Sequence, residues 1–569
     1  MTPDELLAAT RAWIDGDPDP ATREELQALL DARDLDALTE QVGSALAFGT
    51  AGLRGEVAAG PNRMNRAVVI RTTRGLADHL LATVPGASER GVVVGFDARH
   101  DSERFARDVV ATFGGAGLPV RWFPMPQPTP LVAYAQKALD AAAAVVVTAS
   151  HNPPRDNGYK VYGDGAAQIA PPVDLAIAAA IDQVGPAIEV PRVDPVTSDL
   201  VAPVPGEVID RYFAELAAAR TAVEGPELTI AYTPLHGVAT PHLLRALAEA
   251  GYHDVHVEPS QAEPDGDFPT VAFPNPEEPG AMDAVLALAG RIGADLVLAN
   301  DPDGDRLAVA VPDGAGGHRP LTGNQIGVLL ADHLLRGSTA NRPLIVSSIV
   351  STPMVHSVAA AHGARSEVTL TGFKWIWAAA RHLERSDQRT AVYGFEEALG
   401  SSVGSVVRDK DGIGAALAFA DLTRGLAAEG RGVADRWAEL CATHGLWVSH
   451  QLSVVRPGAA GAREIATAMA TFDRSVPDHL AGHAVVGSTD FRTGADQRPP
   501  WLAVQDLVAL ELADGRAMIR PSGTEPKCKI YIDLRGELAP DEDLDERTAA
   551  LQLQATEVAD ALAAHVGLT

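Results

Sequence analysis

After Gly49 the chain alternates short apolar, β-branched runs with Ala- and Leu-rich stretches of helical period. GVVVGF (91–96), PVRWF (119–123) and AAVVVT (143–148) predict buried strands, since a strand covered on both faces is a continuous apolar run. Helices are expected between them, over 103–114 and 130–139. The alternation resumes with LTIAY (228–232), a helix near 241–250, HDVHV (253–257), a helix near 280–291 and DLVLA (295–299). A third round has a helix at 324–336, PLIVSSI (343–349), a helix near 353–362 and AVYGF (391–395), then helices at 411–428 and 433–443. The first 45 residues read as helix with a stop and restart near Gly16 to Pro20, and Pro191 to Pro205 as a surface connection.

The final stretch changes character. VSHQLSVV, AVVGSTDF, WLAVQDLVALEL, GRAMIRP and CKIYIDLR predict closely spaced strands, with helices near 461–472 and 545–565. The expected fold class is α/β: three successive mixed, mostly parallel α/β domains followed by a smaller α+β C-terminal domain. The expected boundaries are 1–212, 213–318, 319–446 and 447–569, consistent with three to four domains at ~150 residues each.

Charge narrows the function. Acidic residues outnumber basic ones by 75 to 46, a net charge of −29. Such a surface repels nucleic-acid backbones and anionic membranes, so neither is an expected partner, and an anionic ligand requires a local basic island. Cys441 and Cys528 form no C-x-x-C pair, which excludes a disulfide framework or zinc ribbon. The N-terminus predicts an amphipathic helix rather than a signal peptide, and no apolar run spans a bilayer. A cytoplasmic location is expected.

Three loops carry candidate chemistry. In N-D-P-D-G-D-R (300–306) Asp301, Asp303 and Asp305 alternate after the strand 295–299, at the strand end where α/β sheets collect ligands. Three anions packed so closely call for a shared cation, and hard oxygen donors suit Mg²⁺. A calcium EF-hand loop would need Gly at position 6 and Glu at position 12, whereas Gly stands at 4 and Pro312 at 12. In T-A-S-H-N-P (148–153) a strand ends in a hydroxyl and an imidazole, with Lys160 ten residues after Ser150, a set suited to nucleophilic or phosphoryl-carrier chemistry. In R-P-S-G-T-E-P-K (520–527) Arg520 and Lys527 flank a Ser-Gly-Thr turn able to cradle a phosphate. Arg54 in F-G-T-A-G-L-R-G (48–55) and Glu396 in G-F-E-E-A-L-G (394–400) sit in weaker, Gly-bounded loops.

These segments, in this order, resemble the α-D-phosphohexomutases, which include phosphoglucomutase and phosphomannomutase. The resemblance covers essentially the whole chain, and P-N-P-E-E-P-G (274–280) is more like the longer phosphosugar mutases. It implies an isomerase that moves phosphate between C1 and C6 of an aldohexose, with glucose the expected sugar. Mannose and pentose phosphates are alternatives on the same mechanism, and a metal-dependent sugar phosphatase is a rival outside it. By resemblance Ser150 carries the phosphoryl group and, with Asp301, Asp303 and Asp305, ligates Mg²⁺. Arg54, His151, Lys160 and Lys410 are the implied catalytic groups, with Lys160 first choice for proton transfer. Arg306, Gly372, Lys374, Glu396, Arg520, Ser522, Gly523, Thr524 and Lys527 would bind substrate. Hexose 1,6-bisphosphate is the implied intermediate and activator, and a monomer or small homo-oligomer the implied assembly. The sugar loop departs from the common Gly-Glu-x-Ser in carrying Ala398.

The lysine distribution fits this picture. Of 46 basic residues only six are lysines, and Lys160, Lys374, Lys410, Lys527 and Lys529 fall in or beside these motifs. Lys137 is left over, expected on an exposed helix.

Overall fold

The computed structural model describes residues 1–49, 52–521, 527–539 and 542–569. The chain divides into two units. Unit 1 comprises Met1–Ala222, Pro226–Leu321 and Gly400–Asp421; unit 2 comprises Val223–Gly225, Thr322–Leu399 and Leu422–Thr569.

Unit 1 begins with three helices, α1 (Pro3–Gly16), α2 (Pro20–Ala32) and α3 (Leu35–Val42). Thr2 and Glu5 form a capping box at α1, and Asp19 caps α2 with Pro20 in its first turn, which explains the stop and restart. Leu6, Ile14, Leu26, Leu30, Leu38 and Val42 close a small core of their own.

The first sheet runs β1 (Leu53–Glu56), β5 (Asp156–Tyr162), β4 (Ala143–Val147), β2 (Val92–Phe96), β3 (Val120–Trp122), β6 (Val201–Pro203), named in chain order. From β4 to β6 the strands are parallel, and every residue of β2 and β4 is buried, as the continuous apolar runs require. At the other edge β5 and β1 run antiparallel. The surface connection expected at 191–205 is corrected in part: Val201–Pro203 adds the edge strand, the position where a sheet tolerates proline.

The second sheet runs β11 (His318–Pro320), β10 (Ala308–Pro312), β9 (Leu296–Ala299), β7 (Ile230–Thr233), β8 (Val255–Val257). β9, β7 and β8 are parallel, and β10 returns antiparallel beside β9. The two chemistry-bearing loops of unit 1 therefore share one design. Each leaves the C-terminal end of a parallel strand and turns back into an antiparallel neighbour, β4 into β5 and β9 into β10.

In unit 2, β12 (Pro343–Ser348) pairs parallel with β13 (Arg365–Thr369) on one side and β14 (Thr390–Glu396) on the other. The strand β15 (Gly400–Val403) opens the segment that belongs to unit 1. The C-terminal sheet is antiparallel, built from β16 (Leu446–Val455), β17 (His479–Leu480), β18 (His483–Asp490), β19 (Val508–Leu512), β20 (Gly515–Pro521) and β21 (Lys527–Gly536). The helix Leu544–His565 packs on β16 and β21. The strand expected over WLAVQDLVALEL starts only at Val508. Its first residues form a 3₁₀ turn that buries Trp501, whose indole N–H donates to Glu367 Oε1 at 3.0 Å. Among the described residues no helix is long and apolar enough to cross a membrane.

Candidate active site

Ser150 follows β4 and has φ +54°, the left-handed region that a serine rarely adopts. Its Oγ donates to Asp301 Oδ2 at 2.8 Å and lies 3.1 Å from His151 Nδ1. Asp301 comes from the β9–β10 loop, whose turn is closed by the Gly304 N–H to Asp301 carbonyl bond, with Gly304 at φ +69°. The backbone N–H groups of Asp305 and Arg306 fold back onto Asp301 Oδ1 at 3.1 and 3.0 Å. Tyr232 donates to Asn300, which in turn donates to the Arg306 carbonyl, so the loop is braced from the neighbouring strand β7.

Asp301, Asp303 and Asp305 are fully buried and present oxygens within 4.8 Å of one another. Asp303 Oδ2 accepts from Thr129 Oγ1 at 2.7 Å and from Lys160 Nζ at 2.5 Å; Asp305 Oδ2 accepts from Lys160 at 2.9 Å and faces Lys410 Nζ at 3.0 Å. Asp303 Oδ1 and Asp305 Oδ1 have no hydrogen-bond partner. Buried carboxylate oxygens without donors are costly, and a hard divalent cation is the partner they fit. The cluster is compatible with metal binding.

The electrostatics follow from that crowding. Burial and the charges of Asp303 and Asp305 push the Asp301 carboxyl well above the usual range. Burial also opposes the charged form of Asp303, but the Lys160 ammonium outweighs it and holds this carboxyl low. Burial works against the Lys160 charge, and Asp303 and Asp305 overcome it, so the ammonium is held more firmly than an ordinary lysine's. Burial, with Arg306 and Arg54 nearby, keeps the His151 imidazole neutral.

Arg54 lies on β1, not in a loop as expected, and reaches across to Asn152 Oδ1 at 3.3 Å. The antiparallel pairing of β1 with β5 sets Arg54 opposite Gly158, and that of β5 with β4 sets Lys160 opposite Val146. Unit 1 thus gathers Arg54, Ser150, His151, Lys160, Asp301, Asp303, Asp305, Arg306 and Lys410. Lys410 arrives on the Gly400–Asp421 segment, which Asp409 ties down by accepting from Tyr162 at 2.6 Å and Gln168 at 2.8 Å.

Two residues of this site are not among the candidates that the sequence offers. Thr129 opens a helix and shows its role only by donating to Asp303. Glu277, within P-N-P-E-E-P-G, reaches Arg306 at 3.4 Å. One expectation is corrected: Lys137 is not exposed. Its ammonium is mostly covered, donating to the Ser405 and Val406 carbonyls at 2.7 and 2.9 Å and to Glu215 at 3.2 Å.

Unit 2 holds the recognition candidates. Glu396 ends β14 and accepts from the Gly372 N–H at 2.6 Å; Gly372, at φ +115°, precedes the helix Phe373–Asp387 that carries Lys374. Glu397 is anchored by the hydroxyls of Ser348 and Ser351 at 2.9 and 3.3 Å. In the β20–β21 hairpin Arg520 pairs opposite Lys529, and Lys527 lies two residues before Lys529, so all three cations share one face. Ser522, Gly523 and Thr524 lie outside the described residues.

A serine hydroxyl bonded into a three-carboxylate loop, on consecutive α/β domains, is an arrangement that fits a phosphosugar mutase. The phosphoglucomutase/phosphomannomutase family accounts for the chain in order: its alpha/beta/alpha domain I matches residues 45–186, domain II 210–315, domain III 322–443, and its C-terminal domain 470–551. The chain belongs to this family, whose members are isomerases that act as intramolecular phosphotransferases. It is 40% identical over 487 residues to a probable phosphomannomutase of Haemophilus influenzae, covering 84% of this chain and 95% of that protein. It is 36% identical to a probable phosphoribomutase of Schizosaccharomyces pombe, covering 92% and 93%. The crystal structure of a putative phosphomannomutase from Thermus thermophilus shares the fold, with a TM-score of 0.67 at 24% identity over 91% of this chain and 99% of that one.

Proposed function

We propose that this chain interconverts a hexose 1-phosphate and its 6-phosphate, with glucose as the hexose, through a phosphorylated Ser150 and a hexose 1,6-bisphosphate. The observation that carries this reading is Ser150 Oγ, 2.8 Å from Asp301 and beside two buried carboxylate oxygens that lack donors. Ser150, Asp301, Asp303 and Asp305 would hold Mg²⁺, which supplies neutralisation of charge on the transferring phosphoryl group.

The sugar hydroxyl attacks the phosphorus on Ser150; the P–O bond to Ser150 breaks as the new one forms. The hydroxyl proton leaves and a proton returns to Ser150 Oγ, so the bisphosphate forms with Ser150 free. Lys160, an ammonium held between Asp303 and Asp305, provides positive charge at this step and would be the acid that returns a proton to Ser150 Oγ. Arg54 and Lys410 add charge, and the neutral His151 adds orientation, around the same oxygen. The bisphosphate then turns and gives its other phosphoryl group back to Ser150.

Glu396, with Gly372 and Lys374, would read sugar hydroxyls, and Arg306 would contact substrate beside the metal loop. Arg520, Ser522, Gly523, Thr524 and Lys527 would hold the phosphate that is not reacting. A pentose phosphate is the second reading. It is supported by relatives named phosphoribomutase and phosphopentomutase, and by Ala398, which removes one hydroxyl from the sugar loop.

The test is a panel of glucose, mannose and ribose 1-phosphates, each assayed for its 6- or 5-phosphate with Mg²⁺ and the matching bisphosphate. Glucose 6-phosphate as the fastest product supports the proposal; ribose 5-phosphate transfers it to the pentose. Release of inorganic phosphate without any isomer overturns the mutase reading.

A further inference from the structure

Behind the Ser150 loop lies an ion pair that touches none of the reacting atoms. Asp97 stands directly after β2 and Arg99 two residues on; both are almost wholly buried, and Arg99 Nε lies 3.3 Å from Asp97 Oδ2. The Arg99 guanidinium faces the loop from below. One of its nitrogens donates to the carbonyls of Ser150 and Asn152, both at 2.6 Å, and the other to those of Pro153 and Asp156 at 2.8 and 3.1 Å. Asp97 works on the opposite flank. It accepts from Thr148 Oγ1 and Ser102 Oγ, both at 2.6 Å, and Thr148 Oγ1 in turn accepts from the Ser150 N–H at 2.8 Å. The ring of Phe268 covers the guanidinium at 4.9 Å.

Ser150 is therefore gripped at both its backbone groups, its N–H through Thr148 and Asp97 and its carbonyl by Arg99. A left-handed serine costs on the order of 1–3 kcal/mol and persists only where the surroundings fix it. We infer that Asp97 and Arg99 are a positioning pair that holds Ser150 left-handed and so aims its Oγ at Asp301, whether or not that oxygen carries a phosphoryl group. The inference rests on Ser150 as the phosphoryl carrier. Guanidinium is required because its planar fork can serve four carbonyls at once, which a single ammonium nitrogen with three donors cannot.

The test compares Arg99→Lys and Thr148→Val with the unaltered protein by thermal melting, by hydrogen exchange of the 149–157 amides, and by kcat and KM for glucose 1-phosphate. Arg99→Lys is expected to stay folded, to exchange these amides faster, and to lose kcat on the order of 10–100-fold with KM little changed, the signature of a misplaced reacting group. Arg99→Ala should regain kcat when millimolar guanidinium is added, whereas Ser150→Ala should not. Thr148→Val removes the Asp97 link without touching the arginine, and decides the matter if the Arg99 variants do not fold. Unaltered exchange and kcat in folded Arg99→Lys, or in Thr148→Val should Arg99→Lys unfold, overturn the inference. The exchange measurement stands apart from catalysis: turnover in Ser150→Ala would sink the mutase reading while still leaving the grip on the loop measurable.

Discussion

The Lys137 ammonium donates to the carbonyl oxygen of Ser405 at 2.7 Å, fastening the segment that carries Lys410 to a helix of the Ser150 domain. The spacing of lysines along the chain gives Lys137 no role. Its contacts give it a reason to be lysine: the ammonium reaches two carbonyls and Glu215 together. Lys137→Met is therefore expected to lower stability by about 1–2 kcal/mol, since charge-assisted hydrogen bonds are lost from a partly covered site. It should also reduce kcat by loosening Lys410. Chemical denaturation together with kinetics checks both; a silent variant would return Lys137 to the surface.

Ser150→Ala should abolish isomerisation while leaving the melting temperature nearly unchanged, because it removes one hydroxyl whose loop is held by backbone contacts. Intact-mass measurement should show a phosphoryl adduct on the unaltered protein that this variant lacks. Near-normal turnover in the variant would refute a covalent phosphoserine.

Chelation should stop the reaction and Mg²⁺ restore it. Independently of activity, Mg²⁺ should raise the melting temperature, since a ligand that binds only the folded state stabilises it. Asp303→Asn should abolish that rise and cut kcat by ~100-fold or more, with the metal-free melting temperature lowered because the buried Lys160 ammonium loses one of its two carboxylates. An unchanged Mg²⁺ response in this variant would remove Asp303 from the ligand set.

Lys160→Arg should lose most activity, because the bulkier guanidinium does not fit the compact buried place between Asp303 and Asp305 and is a weaker acid still than the ammonium. Lys527→Arg should lose less, since arginine also binds phosphate, with a different fork. Steady-state kinetics with melts as a folding control distinguishes them. Equal activity in the two variants would take Lys160 out of the proton-transfer step.

Asp411 caps the helix Gly412–Ala428, accepting from the Ile413 and Gly414 N–H groups and from Tyr212, and burial pushes its carboxyl up to about 6. The folded protein thus favours the protonated acid. That contribution is complete below the ordinary value of 3.8 and is lost as pH rises through about 6. That difference corresponds to ~3 kcal/mol. Asp411→Asn keeps an acceptor without the charge, so its melting temperature should gain on that of the unaltered protein between pH 5 and pH 7. A constant difference across that range would contradict the assignment.

The parts of the site legible in the sequence are those ending a buried parallel strand, because β4 and β9 announce themselves as unbroken apolar runs and the loops after them bear the unusual residues. The antiparallel returns are not legible. β5 reads as D-N-G-Y-K-V-Y, a turn signal followed by polar and aromatic residues, yet tertiary pairing with β4 and β1 makes it a strand and buries Lys160. Arg54 reads as a loop residue for the same reason: four residues that follow Gly52 and include Gly55 become a strand only beside β5. Trp501 misleads in the opposite direction, its apolar neighbours serving a buried 3₁₀ turn rather than a strand. Asp97 and Arg99 lie in plain view after β2, but a single D-A-R offers no pattern until the carbonyls it meets are known.

The division of unit 1 into three stretches has a consequence for the chain as it is made. Residues 1–321 contain Ser150 and all three aspartates but lack Asp409, Asp411 and Asp421, which accept from the Tyr162, Tyr212 and Tyr252 hydroxyls. Those acceptors are synthesised only after the intervening stretch of unit 2 has emerged. Unit 1, the first to begin folding on the ribosome, thus has to wait for Asp421 before it can finish, and a fragment ending at Leu321 would expose, rather than bury, the surface on which Lys410 is carried.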